Sequence, residues 1–251
     1  MRRIFAVGLL ILLVFAVVLV GFLAGRRSVA PWFSAVSNGN GYDALVQAAG
    51  QMNGRLSEDK AEAAAFVKAN ERMFGMVSSA LKLPFEVPLT MYSPTNSLLN
   101  DLSCFKGIAL ALRARGKEAE QRGGKEEAAA SYTRIIQLGQ QVEHGPLIAL
   151  LVGIAIERIG LDALKIVAPG LTAAQRKDVA DQIESFDRER MAFSEVVLRE
   201  KYYARQNTIN PVKLIVARFL VRPALEKAEQ KHRQLSSDFQ RVAKELRSNG
   251  G

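Results

Sequence analysis

The chain has 251 residues, of which 49% are apolar, and it carries a formal charge of +9 and a single cysteine. Four of its 34 lysines and arginines flank an N-terminal apolar run, which leaves 30 basic residues against 25 acidic ones in the remainder. That small positive excess argues against a dedicated nucleic-acid binder, and one cysteine excludes both an internal disulfide and a zinc site built from several thiolates.

An uninterrupted apolar run begins at Ile4 and ends at Ala24. At about 1.5 Å per residue, a helix of this length crosses the hydrocarbon core of a bilayer. A cleaved signal peptide would have a shorter apolar region, and here the nearest small-residue pattern ends at Ala30 and is followed by Pro31, which is unfavourable directly after a cleavage site. We therefore expect residues 1–27 to be an uncleaved membrane anchor, with the lipid bilayer as its partner.

The basic residues around this run predict its orientation. Arg2, Arg3 and the amino terminus precede it, whereas Arg26 and Arg27 follow it. This slight bias places the N-terminus in the cytoplasm. The sequence thus predicts a single-pass protein of the inner (cytoplasmic) membrane, with its body outside the cytoplasm.

The rest of the chain has helical periodicity. Residues 28–41 contain many turn-forming residues and predict a linker, and residues 42–247 predict one all-α domain. Asn40 is the expected N-cap of a first short helix, and Ser57 that of the next. We expect an extended crossing at residues 84–88, because the prolines at both ends disfavour a helix.

Two longer helices are predicted next, from apolar residues at alternating spacings of four and three. The first contains Leu98 and Leu112, the second contains Ala128 and Val142, and Gly123-Gly124 separates them. The short connection predicts an antiparallel hairpin.

A central core helix is expected to begin near Leu147, because its apolar part is too short for a membrane span. Thr172 and Gln175 form a capping box, which predicts the start of a long helix that reaches Val197.

The final helix carries the most regular pattern in the sequence, and we expect it to begin at Pro223. Its apolar stripe consists of Val221, Leu225, Ala228, His232, Leu235, Phe239, Val242 and Leu246. Such a stripe packs either inside the body or as a seam between two chains, which leaves the oligomeric state open. We expect packing inside the body, because little linker precedes this helix.

No catalytic motif is recognisable. Gly123-Gly124-Lys125 lacks the spacing and the preceding strand of a phosphate-binding loop. Cys104 lies between Leu102 and Phe105 on a predicted helix, which predicts a buried, unreactive thiol. The sequence therefore predicts no catalytic residue, no cofactor and no metal site.

Charged residues in the most apolar helix offer a rival hypothesis. Arg158 and Asp162 are one turn apart, which predicts a structural ion pair. An enzyme would instead have its site around Glu157, together with His144 or Glu143.

A basic segment that also contains apolar and aromatic residues occupies positions 199–222. Its candidate interaction surface consists of Arg199, Lys201, Tyr202, Tyr203, Arg205, Lys213, Arg218 and Arg222. The segment can lie on an anionic membrane surface, or it can be a core helix whose long cations extend outward to water. We expect the second arrangement, because the apolar part is wide for a surface helix.

Two resemblances follow from these stretches. Gly116, Ala128 and Tyr132 have the spacings of a tetratricopeptide-type helical hairpin, which residues 98–142 resemble. More broadly, residues 1–233 resemble a group of uncharacterised, membrane-anchored helical proteins of planctomycete-like bacteria. The stretches that carry this second resemblance are Asn40-Gly41-Tyr42-Asp43, the 84–88 crossing, the 116–139 hairpin, Val152-Gly153-Ile154-Ala155-Ile156-Glu157 and Arg222-Pro223-Ala224. The resemblance implies an anchor and an all-helical body, and it implies no catalytic activity.

Together these observations favour a membrane-anchored scaffold or protein-interaction protein that is not an enzyme and that binds a protein partner. The alternatives are an enzyme with its site near Glu157 and His144, and a peripheral membrane-binding protein that uses the basic segment.

Overall fold

Helices make up almost all of the regular structure in the computed structural model, which describes residues 39–57, 59–87, 95–207 and 211–248, without the side chains of residues 95–97, 203–207 and 211–221. These residues form nine α-helices and one short 3-10 helix, at Ala168–Gly170, and contain no strand. The α-helices are α1 (Gly41–Gly50), α2 (Lys60–Ala69), α3 (Glu71–Ala80), α4 (Thr95–Gln121), α5 (Lys125–Val142), α6 (Leu147–Val167), α7 (Ala173–Glu189), α8 (Phe193–Asn207) and α9 (Pro211–Ser248). The predicted all-α class is confirmed for this part of the chain.

Within the described ranges, no helix combines the length and the apolar character needed to cross a membrane. The predicted anchor, residues 1–27, lies outside the described residues, as does most of the predicted linker.

Asn40 connects the start of α1 to the extended crossing that follows α3. Its side chain accepts a hydrogen bond from the Tyr42 backbone N–H, which confirms the predicted N-cap. The same side chain donates to the Glu86 carbonyl at 2.7 Å and accepts from the Glu86 N–H at 3.0 Å. The crossing is therefore held against α1 by a paired amide contact.

The second predicted helix is two helices, and its predicted cap is wrong. Asp59, not Ser57, caps α2, because its carboxylate accepts from the N–H groups of Ala61 and Glu62. The chain then bends at the buried Asn70, whose side chain donates to Phe66 and Asn53 carbonyls.

Helices α4 and α5 form the predicted antiparallel hairpin, and its turn satisfies the last carbonyls of α4. Gly123 has a φ of 82°, and its N–H donates to the Glu120 carbonyl at 3.0 Å. The Gly124 N–H reaches the Ala119 carbonyl at 2.8 Å. These two bonds are the Schellman arrangement, which explains why the sequence has glycine at the left-handed position.

Helix α6 lies at the centre of the body. It packs most extensively against α5 and also contacts α4, α8 and α9. Apolar side chains from many helices form the core, and the largest fully buried ones include Tyr132, Phe74, Phe105, Phe239, Leu45 and Met73. Burial of such side chains is the main source of stability for an all-helical body.

The C-terminal half of the body departs from the predicted helix boundaries in two places. The helix that begins after Thr172 ends at Glu189, and α8 starts only at Phe193, so the single long helix predicted there is wrong. Helix α9 begins at Pro211, and the predicted starting residue Pro223 lies inside it. The capping box is confirmed. In the apolar stripe, burial is confirmed for Ala228, Leu235, Phe239, Val242 and Leu246, whereas Leu225 and His232 are half-buried.

Candidate functional site

Two glycines bring the backbones of α5 and α6 into contact and place two glutamates side by side. A Cβ on Gly139 would lie 2.5 Å from Cγ of Glu157, and a Cβ on Gly153 would lie 2.6 Å from Cγ of Glu143. Each glutamate follows one glycine by four residues and covers the glycine of the opposite helix. The repeated Gly-x-x-x-Glu spacing on two antiparallel helices therefore positions the carboxyl groups together.

Arg190 supplies the charge that faces them. It follows the last residue of α7, where its ψ of 132° ends the helix and directs the chain toward α8. Its Nη2 lies 2.6 Å from Oε2 of Glu157, and its Nη1 lies 2.9 Å from Oε2 and 3.0 Å from Oε1 of Glu143. A fourth bond joins Nη1 to Oε1 of Glu157 at 3.2 Å. We call Glu143, Glu157 and Arg190 the buried charge cluster.

The buried charge cluster is closed to solvent. Exposed fractions of the side chains are 3% for Arg190, 1% for Glu143 and 0% for Glu157. Phe239 of α9 covers the guanidinium, with its ring centroid 4.9 Å from Cζ of Arg190. On the remaining side, Oδ1 of Asp187 lies 3.6 Å from Nε of Arg190.

Burial dominates the electrostatics of the cluster. It raises the pKa of Glu143 well above its ordinary range, and the negative charge of Glu157 raises it further, while Arg190 opposes both effects. Burial also raises the pKa of Glu157, although contact with Arg190 limits the change. For Arg190, burial alone would lower the pKa, but the charges of Glu157 and Glu143 outweigh it and raise the pKa above its usual value.

His232 of α9 helps to hold the α7–α8 junction. Its Nε2 lies 3.1 Å from the Met191 carbonyl, and because a carbonyl only accepts, Nε2 carries a proton that it donates. Burial lowers the pKa of His232, and the positive charge of Arg190 lowers it further. The imidazole is therefore held neutral at neutral pH.

One surface cavity with Asp187 among its lining residues does not reach the carboxyl groups. It has a volume of about 510 Å³, lies between α7 and α9, and includes Asp187 on its wall, but it is not lined by Arg190, Glu143 or Glu157. Nor do the described residues contain any grouping of histidine, cysteine, aspartate and glutamate side chains that could hold a metal ion. The cluster is thus a set of charges closed to solvent.

The structure places the charged residues of α6 differently from the prediction. Arg158 pairs with Asp238 of α9 at 2.5 Å, and Asp162 pairs with Lys165 at 3.4 Å, so the predicted Arg158–Asp162 pair is wrong. Arg158 thereby joins α6 to the final helix.

His144 and Cys104 also differ from what the sequence indicates. The carbonyl of His144 accepts a hydrogen bond from Nη1 of Arg199 at 2.5 Å. Burial lowers the pKa of the His144 imidazole. The hydrogen bonds described for the Arg190 guanidinium go to Glu143 and Glu157 and not to His144. Cys104 is exposed, so the predicted buried thiol is wrong.

The structure describes the side chains of four members of the predicted basic surface: Arg199, Lys201, Tyr202 and Arg222. Arg199 is tied inward, because besides the His144 carbonyl it binds Glu195 at 3.0 Å, and its side chain is only 15% exposed. Lys201 is exposed, Tyr202 is half-buried, and Arg222 is 80% exposed and pairs with Glu226. The side chains of the other members lie outside the described residues: Tyr203, Arg205, Lys213 and Arg218.

No family model, curated protein or solved structure significantly matches the chain. The site must therefore be interpreted from its own geometry.

Sequence reasoning named both glutamates but missed Arg190, which brings them together. Arg190 is 33 residues from Glu157 and 47 from Glu143, and the pattern around it continues a helix. One signal was available in the repeated Gly-x-x-x-Glu spacing, which marks two close-packed helices with a carboxyl group at each contact.

Proposed function

We propose that the protein is a membrane-anchored helical scaffold, with residues 4–24 as its transmembrane helix and a bundle of antiparallel helical hairpins as its partner-binding body. In this proposal the anchor is uncleaved in the inner membrane and the body lies outside the cytoplasm. The flanking arginines and the length of the apolar run support the anchor.

The observation that carries the proposal is the closure of the buried charge cluster. An enzyme site would need converging ionisable groups that a substrate can reach. In the described part of the chain, the carboxyl groups that converge are 0–1% exposed and each is satisfied by Arg190. This arrangement favours a structural role for Glu143 and Glu157 over the rival enzyme hypothesis.

We infer that α8 and the adjoining part of α9 form the partner-binding surface. Helix α8 packs on the body through α6 and α9. It exposes Leu198, with 51% of its surface accessible, and Lys201, while α9 exposes Arg222. Apolar contact area beside unburied cations suits an acidic protein surface with apolar residues of its own.

Crosslinking and affinity purification of the full chain from native membranes test this proposal. We expect one reproducible partner to be lost when Lys201 and Arg222 are both replaced by glutamate, because charge reversal repels an acidic surface. The matched control is Lys117→Glu, an exposed lysine on α4. Recovery of no reproducible partner, or equal loss in the control, would contradict the scaffold; binding to anionic vesicles alone would support peripheral membrane association instead.

A reporter fused after Gly251 tests the topology separately. If a reporter that works only outside the cytoplasm is active in this fusion, the proposed orientation is supported. If only a reporter that works in the cytoplasm is active, the orientation is the reverse.

A further inference from the structure

The buried charge cluster contains one more acidic group than basic groups. Glu143, Glu157 and Arg190 would carry a net charge of −1 if all were ionised, and their side chains are at most 3% exposed. An uncompensated charge in a dry interior is strongly unfavourable, and uptake of a proton is the usual way in which proteins remove it.

The geometry brings the two carboxyl groups to a single nitrogen. Nη1 of Arg190 lies 2.9 Å from Oε2 of Glu143 and 3.2 Å from Oε1 of Glu157. Two carboxyls that converge on one donor are close enough to repel each other when both are ionised, and they lose their protons in separate steps.

We propose that Glu143 and Glu157 share one proton at neutral pH, and that this proton-binding site latches the α7–α8 junction to the body. In the proton-bound form, the hydroxyl of one carboxyl donates to the other carboxylate, and Arg190 neutralises the single negative charge that remains. The raised pKa of Glu143, caused by burial and by Glu157, is in line with this arrangement.

The charged and titratable groups around the two carboxyls act in different directions: Arg190 opposes retention of the proton, Asp187 favours it, and His232 is neutral. Asp187 of α7 adds negative charge 3.6 Å from Nε of Arg190. His232 of α9 is neutral because burial and Arg190 lower its pKa. Within the described residues, Arg190 is the one cation that pairs with Glu143 or Glu157.

Loss of the proton would weaken the latch. The α7–α8 junction is held by the bonds of Arg190 to the two glutamates and by the bond from His232 to Met191. Because the pKa of Glu143 is higher in the folded state than in the unfolded chain, its contribution to stability is complete below the unfolded pKa. That contribution is lost as pH rises through the folded pKa, and we expect α8 to loosen first.

Infrared difference spectroscopy of the purified full chain tests for the proton directly. At neutral pH, the wild type minus Glu143→Gln spectrum should contain one carbonyl band of a protonated carboxylic acid. In Glu157→Gln, the one carboxyl that remains, Glu143, should be ionised, because its charge balances that of Arg190. The wild type minus Glu157→Gln spectrum should therefore contain the same band. The control Glu189→Gln, at an exposed neighbouring position, should leave the band in place. Absence of the band from wild type, or its survival in either glutamine variant, would overturn the proposal.

Hydrogen exchange tests the latch. Between about pH 5 and about pH 9, wild-type amides in α8 should lose protection relative to Glu143→Gln measured at the same pH, because glutamine keeps the donor at every pH. Equal protection in both proteins across this range would overturn the latch. A Glu143→Gln chain that does not fold would also overturn it, because the amide reproduces the hydrogen bonds of the protonated acid. The double variant with glutamine at both positions should unfold at lower temperature than either single variant, since Arg190 then has no carboxylate in the cluster.

Discussion

Gly153 lies against Gly139 so closely that a Cβ on Gly153 would be 2.5 Å from the Gly139 carbonyl oxygen. The two helices that form the centre of the body therefore touch through their backbones. This contact also sets the distance between the two glutamates of the buried charge cluster.

Substitution of Gly153 by alanine should therefore destabilise the protein by about 1–3 kcal/mol, because the added methyl group meets backbone that cannot rotate away. Urea unfolding of the full chain measures the effect. Gly75→Ala is the matched control: this helical glycine of α3 has open space around it, so alanine should stabilise the protein by about 0.5–1 kcal/mol. If Gly153→Ala leaves the free energy of unfolding unchanged, the close backbone contact is contradicted.

Removal of the cation from the cluster should cost more. In Arg190→Met, two buried carboxyls lose their counter-charge, and we expect about 3–5 kcal/mol of destabilisation near neutral pH. Arg188→Met removes an exposed arginine two residues earlier and should change the free energy of unfolding by less than about 0.5 kcal/mol. Similar unfolding curves for the two variants would show that the cluster contributes little to stability.

The apolar stripe of α9 allows a third prediction. Leu235 is 0% exposed, so Leu235→Asp should destabilise the isolated monomer by several kcal/mol if the charge cannot reach water. The control is Gln234→Asp, because Gln234 is exposed on the same turn. If melting of the monomer is unchanged while self-association disappears, the stripe is instead a seam between chains.

Both histidines of the chain should titrate below the usual imidazole range. Burial is the main cause for each, and a neighbouring arginine adds to it: Arg199 for His144 and Arg190 for His232. Because the folded-state pKa is lower than the unfolded one, stability should fall as pH decreases from about 6.5 toward the folded pKa. Proton NMR of the two imidazole rings measures the midpoints directly, and midpoints at or above about 6.5 would contradict the burial of these rings.

Helical periodicity was sufficient to predict the class of the body and several of its contacts. The hairpin of α4 and α5, the capping box at Thr172 and the burial of the α9 stripe all depend on residues close in sequence. Local patterns determine such features, because capping and amphipathic packing act within a few turns.

The remaining features depend on distant residues and were missed for that reason. No glycine or proline marks the helix end at Arg190, whose partners are 33 and 47 residues away. Arg158 is spaced to pair with Asp162, yet it binds Asp238, 80 residues later. Conversely, Pro223 suggested a helix start, but the helix continues through it. For Arg190 and Arg158, a contact from another part of the chain outweighed the local preference.

The position of Phe239 also constrains the order in which the body can be completed during synthesis. Glu143, Glu157 and Arg190 all precede it in the chain, so a ribosome producing the protein makes both acids and their arginine before the ring that covers them. Until residue 239 has emerged, this part of the nascent chain remains open to water and its apolar surroundings stay available to chaperones. The ring that covers the buried charge cluster is therefore added only after the helices that build the cluster have been made.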